Sequence, residues 1–180
     1  MNTAPAMSLK PRTYTGVLVV LGVAHLLNDL MQSLIPAIYP IIQRSYGLDF
    51  WQIGMITLTF QIAGSLLQPL VGFYTDRRPA PYSPVMGMMF TLSGLLGLAF
   101  ATSYGAILFA VALIGIGSSI FHPEATRMAR YAAGGRQGLA QGIFQVGGQA
   151  GGALGPVFAA LIIVPLGQPS LTWFTAAALA

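Results

Sequence analysis

Few side chains in this sequence can do chemistry, and most of those lie inside apolar runs. The first run contains GVAHLLNDLMQSLIPAIYP, in which His25, Asp29 and Gln32 or Ser33 recur at i, i+4 and i+7 or i+8. A helix puts residues so spaced on one face. Asp29, with Asn28 beside it, falls near the middle of a bilayer if this run crosses one. A charge there costs at least about 2.5–3.5 kcal/mol on insertion scales, so it must face a bundle interior or a water cavity. In such a place it can bind a proton. The alternative is a structural helix–helix hydrogen bond made by a protonated or paired aspartate. His25, one turn away, either shares that proton or is a satisfied interior histidine.

A second group closes the fourth run, GIGSSIFHPEATRMAR, and collects Ser119, His122, Glu124, Arg127 and Arg130. Glu124 and Arg127 are spaced to pair along a helix. His122 and Glu124 point to different neighbours, and Pro123 removes a backbone donor, which can kink the helix. The chemistry on offer is a proton or anion site at the mouth of a pathway. The plainer alternative is an ion-paired helix end at the membrane surface.

Polar rows follow the same spacing elsewhere: Gln141, Gln145 and Gln149 in the fifth run, and Thr57, Gln61, Ser65 and Gln68 in the second. Either they line a cavity or they make interhelical hydrogen bonds. In the fifth run the glycines at 147, 151 and 155, and at 148 and 152, overlap as GxxxG, which lets helix backbones approach closely in a membrane. Pro156 then allows a bend. At the end of the second run, GFYTDRRP places Gly72 and Asp76 four apart, with Arg77 and Arg78 adjacent. Asp76 is suited to dock on a helix terminus or on a basic residue such as Arg136, in a link that must break when that side opens.

These residues need helices long enough to cross a bilayer, about 20 mostly apolar residues each. Five such spans are predicted, near residues 15–40, 51–74, 82–102, 105–127 and 138–164. A sixth begins near 170 and stops at 180, short of a full crossing, which predicts a fragment of a longer protein. Residues 1–14 form a tail with no secretory cleavage pattern.

Composition agrees. The chain is 180 residues, 55% hydrophobic and 7% charged. Soluble domains carry about 25% charged residues, so a water-soluble enzyme and a disordered chain are excluded. No cysteine is present, which removes a disulfide framework and a thiolate site. Mean hydropathy is +0.72. The formal charge of +4 does not indicate nucleic acid, because the basic residues are scattered between apolar runs. They sort instead by membrane side. Lys10, Arg12, Arg77, Arg78, Arg127, Arg130 and Arg136 fall on one side and Arg44 on the other, so the positive-inside rule predicts a cytoplasmic N-terminus in the inner (plasma) membrane.

Together these segments resemble the major facilitator superfamily, specifically its N-terminal six-helix half. GFYTDRRP is similar to the superfamily's signature between spans 2 and 3, although Pro79 and Ala80 stand where a later glycine is usual. Gly142, Gly151, Gly155 and Pro156 match the antiporter signature of span 5. HLLNDLMQSLIPAIYP, QIGMITLTFQIAGSLLQPLVGFYTD, GSSIFHPEATRMAR and GLAQGIFQVGGQAGGALGP resemble the fosmidomycin resistance-type efflux transporters over nearly the whole chain.

The resemblance implies an all-α integral membrane fold of two six-helix halves, working by alternating access and lacking here its C-terminal half. It implies export of a small drug in exchange for protons, with spans 1 and 4 lining the central cavity. On that basis Asp29, His25, His122 and Glu124 are expected to couple protons. Asn28, Gln32, Gln61, Ser119, Arg127, Gln145 and Gln149 are expected to line the substrate cavity. Gly72, Asp76, Arg77 and Arg136 are expected at a cytoplasmic gate, and Gly142, Gly151, Gly155 and Pro156 in helix packing and bending. The partners implied are the drug, protons, lipid and the second half, with no nucleic acid, cofactor or metal. The main alternative is a proton-coupled uptake permease for a small metabolite. An intramembrane serine hydrolase would need a serine–histidine contact and an oxyanion hole, and no Gly-x-Ser-Gly-type segment is present, so the chain is not expected to be an enzyme.

Overall fold

A computed structural model describes residues 12–78 and 80–178, so Lys10, Pro79 and most of the predicted tail lie outside the described residues. The described chain is helical. Helix α1 (Thr15–Ala37) is followed by α2 (Tyr39–Tyr46), α3 (Phe50–Gln61), α4 (Gln68–Arg77), α5 (Ser83–Ala99), α6 (Tyr104–Ala132) and α7 (Gln137–Phe158). Among the described residues, four helical stretches are long and apolar enough to cross a membrane: Thr15–Ala37, Phe50–Arg77, Tyr104–Ala132 and Gln137–Leu166. The 17 residues of α5 are a shorter apolar helix.

Helix ends follow local chemistry. Asp49 opens α3 with a reciprocal cap: its carboxylate accepts from Gln52 N at 2.7 Å, while Gln52 Oε1 accepts from Asp49 N at 2.9 Å. Such a cap stabilises a helix by roughly 0.5–2 kcal/mol. The first span does not run unbroken to Pro40. It stops at Ala37, breaks at Ile38, and restarts as α2 with a proline in the first turn. The fourth runs past Arg127 to Ala132, and it is continuous through Pro123 rather than broken there. It ends at Gly134 and Gly135, both at positive φ (54° and 85°). A Cβ on Gly134 would overlap the backbone of Arg12.

Two stretches widen to five-residue turns, Ile62–Leu66 between α3 and α4 and Ala159–Ile163 after α7. In the first, Gln68 Nε2 donates to Gly64 O at 2.8 Å, meeting a carbonyl near Pro69. Gly64 and Gly115 allow the widened turn to lie against α6, since a Cβ on Gly115 would sit 2.7 Å from Ala63 Cβ and 2.9 Å from Phe60 O. After α8 (Val164–Leu166), Gly167 adopts φ +81° and the described part of the predicted sixth span opens as a 3₁₀ helix, Gln168–Phe174, leading into α9 (Thr175–Ala178), while residues 179–180 lie outside the described residues. Hydroxyls tighten it: Ser170 Oγ donates to Gly167 O at 2.6 Å and Thr172 Oγ1 to Pro169 O at 2.9 Å.

Helices α1 and α7 form one closely packed pair and α5 and α6 another, and α6 also packs against α1, α3 and α4. One apolar core joins Leu30, Met31, Leu34 and Ile35 of α1 to Leu95, Leu98, Ile107 and Ile114 of α5 and α6. A second joins Leu18 and Leu21 to Phe121, Ala125, Ala129, Ala140 and Phe144. His25 and Asp29 lie between these two cores along α1. Outer faces carry exposed Val20, Val146, Leu161, Met86 and Phe109, as a lipid-facing surface requires.

The connections sort to two ends. Tyr14 N donates to Ala132 O at 2.9 Å and Thr13 Oγ1 to Ala133 O at 3.0 Å, which joins the start of α1 to the end of α6. At the other end Tyr46 bonds Ala101 and Gln168, and Gln168 Nε2 donates to Leu98 O at 2.6 Å. Arg12, Arg77, Arg78, Arg127, Arg130 and Arg136 therefore share one end, and Arg44 stands at the other.

Candidate functional site

His25 and Asp29 on α1 meet His122 on α6. His25 Nε2 lies 3.2 Å from one Asp29 oxygen, and His122 Nε2 lies 3.2 Å from the other. The two Nε2 atoms are themselves 3.2 Å apart. Each ring is oriented by a backbone carbonyl: His25 Nδ1 donates to Phe144 O at 2.8 Å, and His122 Nδ1 to Ser118 O at 2.9 Å. A carbonyl only accepts, so both Nδ1 atoms carry hydrogen. Neutral rings would then turn bare Nε2 lone pairs toward each other and toward a carboxylate. Three acceptors so close repel one another, and the cluster is satisfied only when it holds positive charge.

The surroundings fix this arrangement. The His25 ring stacks on Phe144 with centroids 3.9 Å apart and planes 20° from parallel. Asn28 Nδ2 donates to Asp29 Oδ1 at 3.1 Å. Gly148 on α7 lies directly over the cluster: a Cβ there would be 2.6 Å from His25 Nε2 and 2.9 Å from Asp29 Oδ2. His25 is buried, with 4% of its side chain exposed, whereas Asp29 and His122 are about a quarter exposed, at 26% and 24%.

Those two exposed faces open onto different cavities. Asp29 lines one of about 410 Å³ with Gln32, Ser33, Tyr39, Thr57 and Gln61, toward the Arg44 end. His122 lines another of about 410 Å³ with Gln68, Gly72, Asp76, Arg127, Arg130, Gln141 and Gln145, toward the arginine-rich end. The cluster thus stands between two cavities.

Glu124 is not part of the cluster. It is 4% exposed, and Arg127 Nη1 lies 3.2 Å from its carboxylate. Arg127 also reaches across to α4, donating to Thr75 O at 2.7 Å, Thr75 Oγ1 at 2.9 Å and Asp76 Oδ1 at 2.5 Å. Asp76 therefore pairs with Arg127, not with Arg136, which is exposed. Arg77 lies over the Phe73 ring, 3.3 Å from its centroid. Arg127→Ala strands Glu124 without a cation, and loss of one partner of a buried pair costs about 3–5 kcal/mol. Thermal melting of the full-length protein in detergent should show a large drop for Arg127→Ala. The double variant Glu124→Gln/Arg127→Ala should recover part of it, and equal melting of the single and double variants would refute the pairing.

Several expected residues sit elsewhere. Asn28 is fully buried behind Asp29, and buried Ser119 bonds Ile116 O of its own helix at 2.7 Å, so neither lines a cavity described above. Gln149 is exposed. Gly151 and Gly155, with Gly147, lie where α7 approaches α1 closely, but a Cβ on Gly142 meets nothing within 4 Å, so Gly142 does not serve packing among the described residues. Ser118 Oγ is 3.2 Å from His122 Nδ1, yet that nitrogen donates to a carbonyl and has no lone pair to take a serine proton.

The sequence did not single out Thr75, Gly148 as a space for the cluster, or the Phe144 and Ser118 carbonyls. The spacing of Gly148 in GxxxG is a signal for close packing, not for what it packs against. Carbonyl contacts leave no mark in side-chain identity.

An all-helical bundle with helices long and apolar enough to cross a membrane is the architecture of a multi-pass membrane protein. The chain belongs to the Major Facilitator Superfamily, whose sequence profile matches residues 21–180. Over 176 residues it is 59% identical to the fosmidomycin resistance protein of Escherichia coli (strain K12), covering 98% of this chain and 43% of that protein. Over 159 residues it is 52% identical to an uncharacterized MFS-type transporter, YfnC, of Bacillus subtilis (strain 168), covering 88% of this chain and 39% of the relative. The chain thus spans less than half the length of these relatives. It is a multi-pass membrane protein of a transporter family.

Proposed function

We propose that this chain forms the N-terminal half of a proton-coupled secondary transporter that exports a small anionic drug, of the kind named in its fosmidomycin resistance relative, in exchange for protons. One observation carries this reading: the His25–Asp29–His122 cluster needs positive charge and opens through Asp29 and His122 onto two different cavities. A proton enters from the Asp29 side, neutralises the carboxylate and lowers the cost of closing that cavity. It leaves through His122 into the arginine-lined cavity. By the positive-inside rule the arginine-rich end is cytoplasmic, and a membrane with a cytoplasmic face is the inner (plasma) one.

The drug occupies the cavity beside His122. Arg127 directs Nη1 and Nη2 to Thr75, Asp76 and Glu124 and keeps its Nε–H, so the anion is met by Arg130 and Arg127, with Gln68, Gln141 and Gln145. Release of the Arg127–Asp76 bond accompanies opening at that end. A second six-helix half supplies the opposite wall.

The test is transport by the full-length protein in everted membrane vesicles. An acidic lumen should drive fosmidomycin inward, and a protonophore should abolish the accumulation. Accumulation indifferent to the protonophore contradicts proton coupling. Proton-driven loss of drug from the lumen supports the uptake permease instead.

A further inference from the structure

We propose that His25, Asp29 and His122 also form a binding site for a divalent first-row transition-metal ion of the Zn2+ class. The proposal rests on the cluster's need for positive charge, as the proton reading does; a metal ion would take the place of the protons.

Two imidazoles and a carboxylate are a common ligand set for such ions, with a fourth position left to water. Bonds of about 2.0–2.1 Å in a tetrahedral site set ligand atoms about 3.3 Å apart. Here His25 Nε2, His122 Nε2 and the Asp29 oxygens make three contacts of 3.2 Å, and all the ligand atoms lie within 4.8 Å of one another. An ion between them needs no rearrangement of the helices.

The outer partners are also those of a metal site. A metal-ligating histidine donates its other ring N–H to a carbonyl or carboxylate, which fixes the ring and the tautomer. Both histidines do so, to Phe144 and Ser118. Asn28 supports the carboxylate in the same way. Two nitrogens among three ligands favour Zn2+, Co2+, Ni2+ or Cu2+ over Mg2+ and Ca2+, which take oxygen shells. The open faces of Asp29 and His122 give the ion a route from either cavity.

A bound ion would join α1 to α6 and hold the carboxylate out of proton exchange, so Zn2+ is expected to inhibit transport. The full-length transporter, purified without a polyhistidine tag, is titrated with Co2+ and Zn2+ in detergent. Wild type should develop the intense visible absorption of four-coordinate Co2+, which Zn2+ removes. Asp29→Asn and His122→Ala should each weaken Zn2+ binding beyond the roughly 10–100-fold typical of losing an outer partner. The wild-type spectrum requires no variant to fold.

A Co2+ spectrum like that of the hydrated ion, or equal Zn2+ affinity in wild type and Asp29→Asn, overturns the site. The two readings fail separately. If no metal binds but Asp29→Asn loses proton-driven accumulation, only the metal site falls. If metal binds at the cluster while Asp29→Asn accumulates drug as wild type does, only the proton reading falls.

Discussion

Asp29→Asn in the full-length transporter should abolish all proton-driven drug accumulation while leaving drug–drug exchange across the membrane. Asparagine has nearly the same shape and its Nδ2 can donate to a neutral imidazole Nε2, so the cluster keeps its place between the two apolar cores. What it loses is the negative charge that gathers protons to this point. A carrier that no longer gains and loses a proton between its two cavities can still change conformation with drug bound, and exchange persists. The gradient can no longer do work on it. Vesicle flux with and without an imposed pH difference separates the two activities. If accumulation survives the substitution with the same dependence on the pH difference, Asp29 is not the coupling group.

The second large effect lies in the packing that holds the cluster together. Gly151→Ala should destabilise the protein by about 1–3 kcal/mol or more, the scale of overpacking a filled interior. The added methyl would overlap the carbonyl oxygen of Leu26 and lie 2.9 Å from Leu30 N. Both are backbone atoms, so relief requires α1 and α7 to separate. That movement also strains the His25–Phe144 bond, the link between α7 and the cluster. One residue along, a Cβ on Gly152 meets nothing within 4 Å. Gly152→Ala should therefore be neutral or stabilising by about 0.4–1 kcal/mol, through a less flexible unfolded chain. Thermal melting of the two variants side by side decides the matter, and equal melting temperatures would contradict the packing described.

These two residues show what the sequence made legible. His25 and Asp29 share a helix, so spacing alone joined them. His122 is 97 positions from His25, and its arrival beside them depends on how α6 crosses α1, which no local pattern encodes. Glu124 was grouped with His122 because it is two residues away. On a helix two residues apart means nearly opposite faces, and Glu124 pairs with Arg127 as their i, i+3 spacing predicts. Asp76 had several basic residues available at the same end, and choosing Arg127 over Arg136 required the register of α4 against α6. Gly142, Gly151 and Gly155 look equivalent in a motif, and only the neighbouring helix distinguishes them. Asn28 and Ser119 are polar, but their positions on the helix turn them into packed protein rather than a cavity. The helices themselves were legible because apolar length is a strong signal. The widened turns at Ile62–Leu66 and Ala159–Ile163 were not, since the neighbouring prolines, Pro69 and Pro156, permit several geometries.

The central claim is that the His25–Asp29–His122 cluster exchanges protons for drug, and the most direct test is to count protons on drug binding. The purified full-length transporter in weakly buffered detergent solution is mixed with fosmidomycin, and the change in pH is recorded. The account predicts that wild type releases protons in proportion to drug bound, and that Asp29→Asn binds drug but releases none. Equal proton release from the wild type and Asp29→Asn would contradict it.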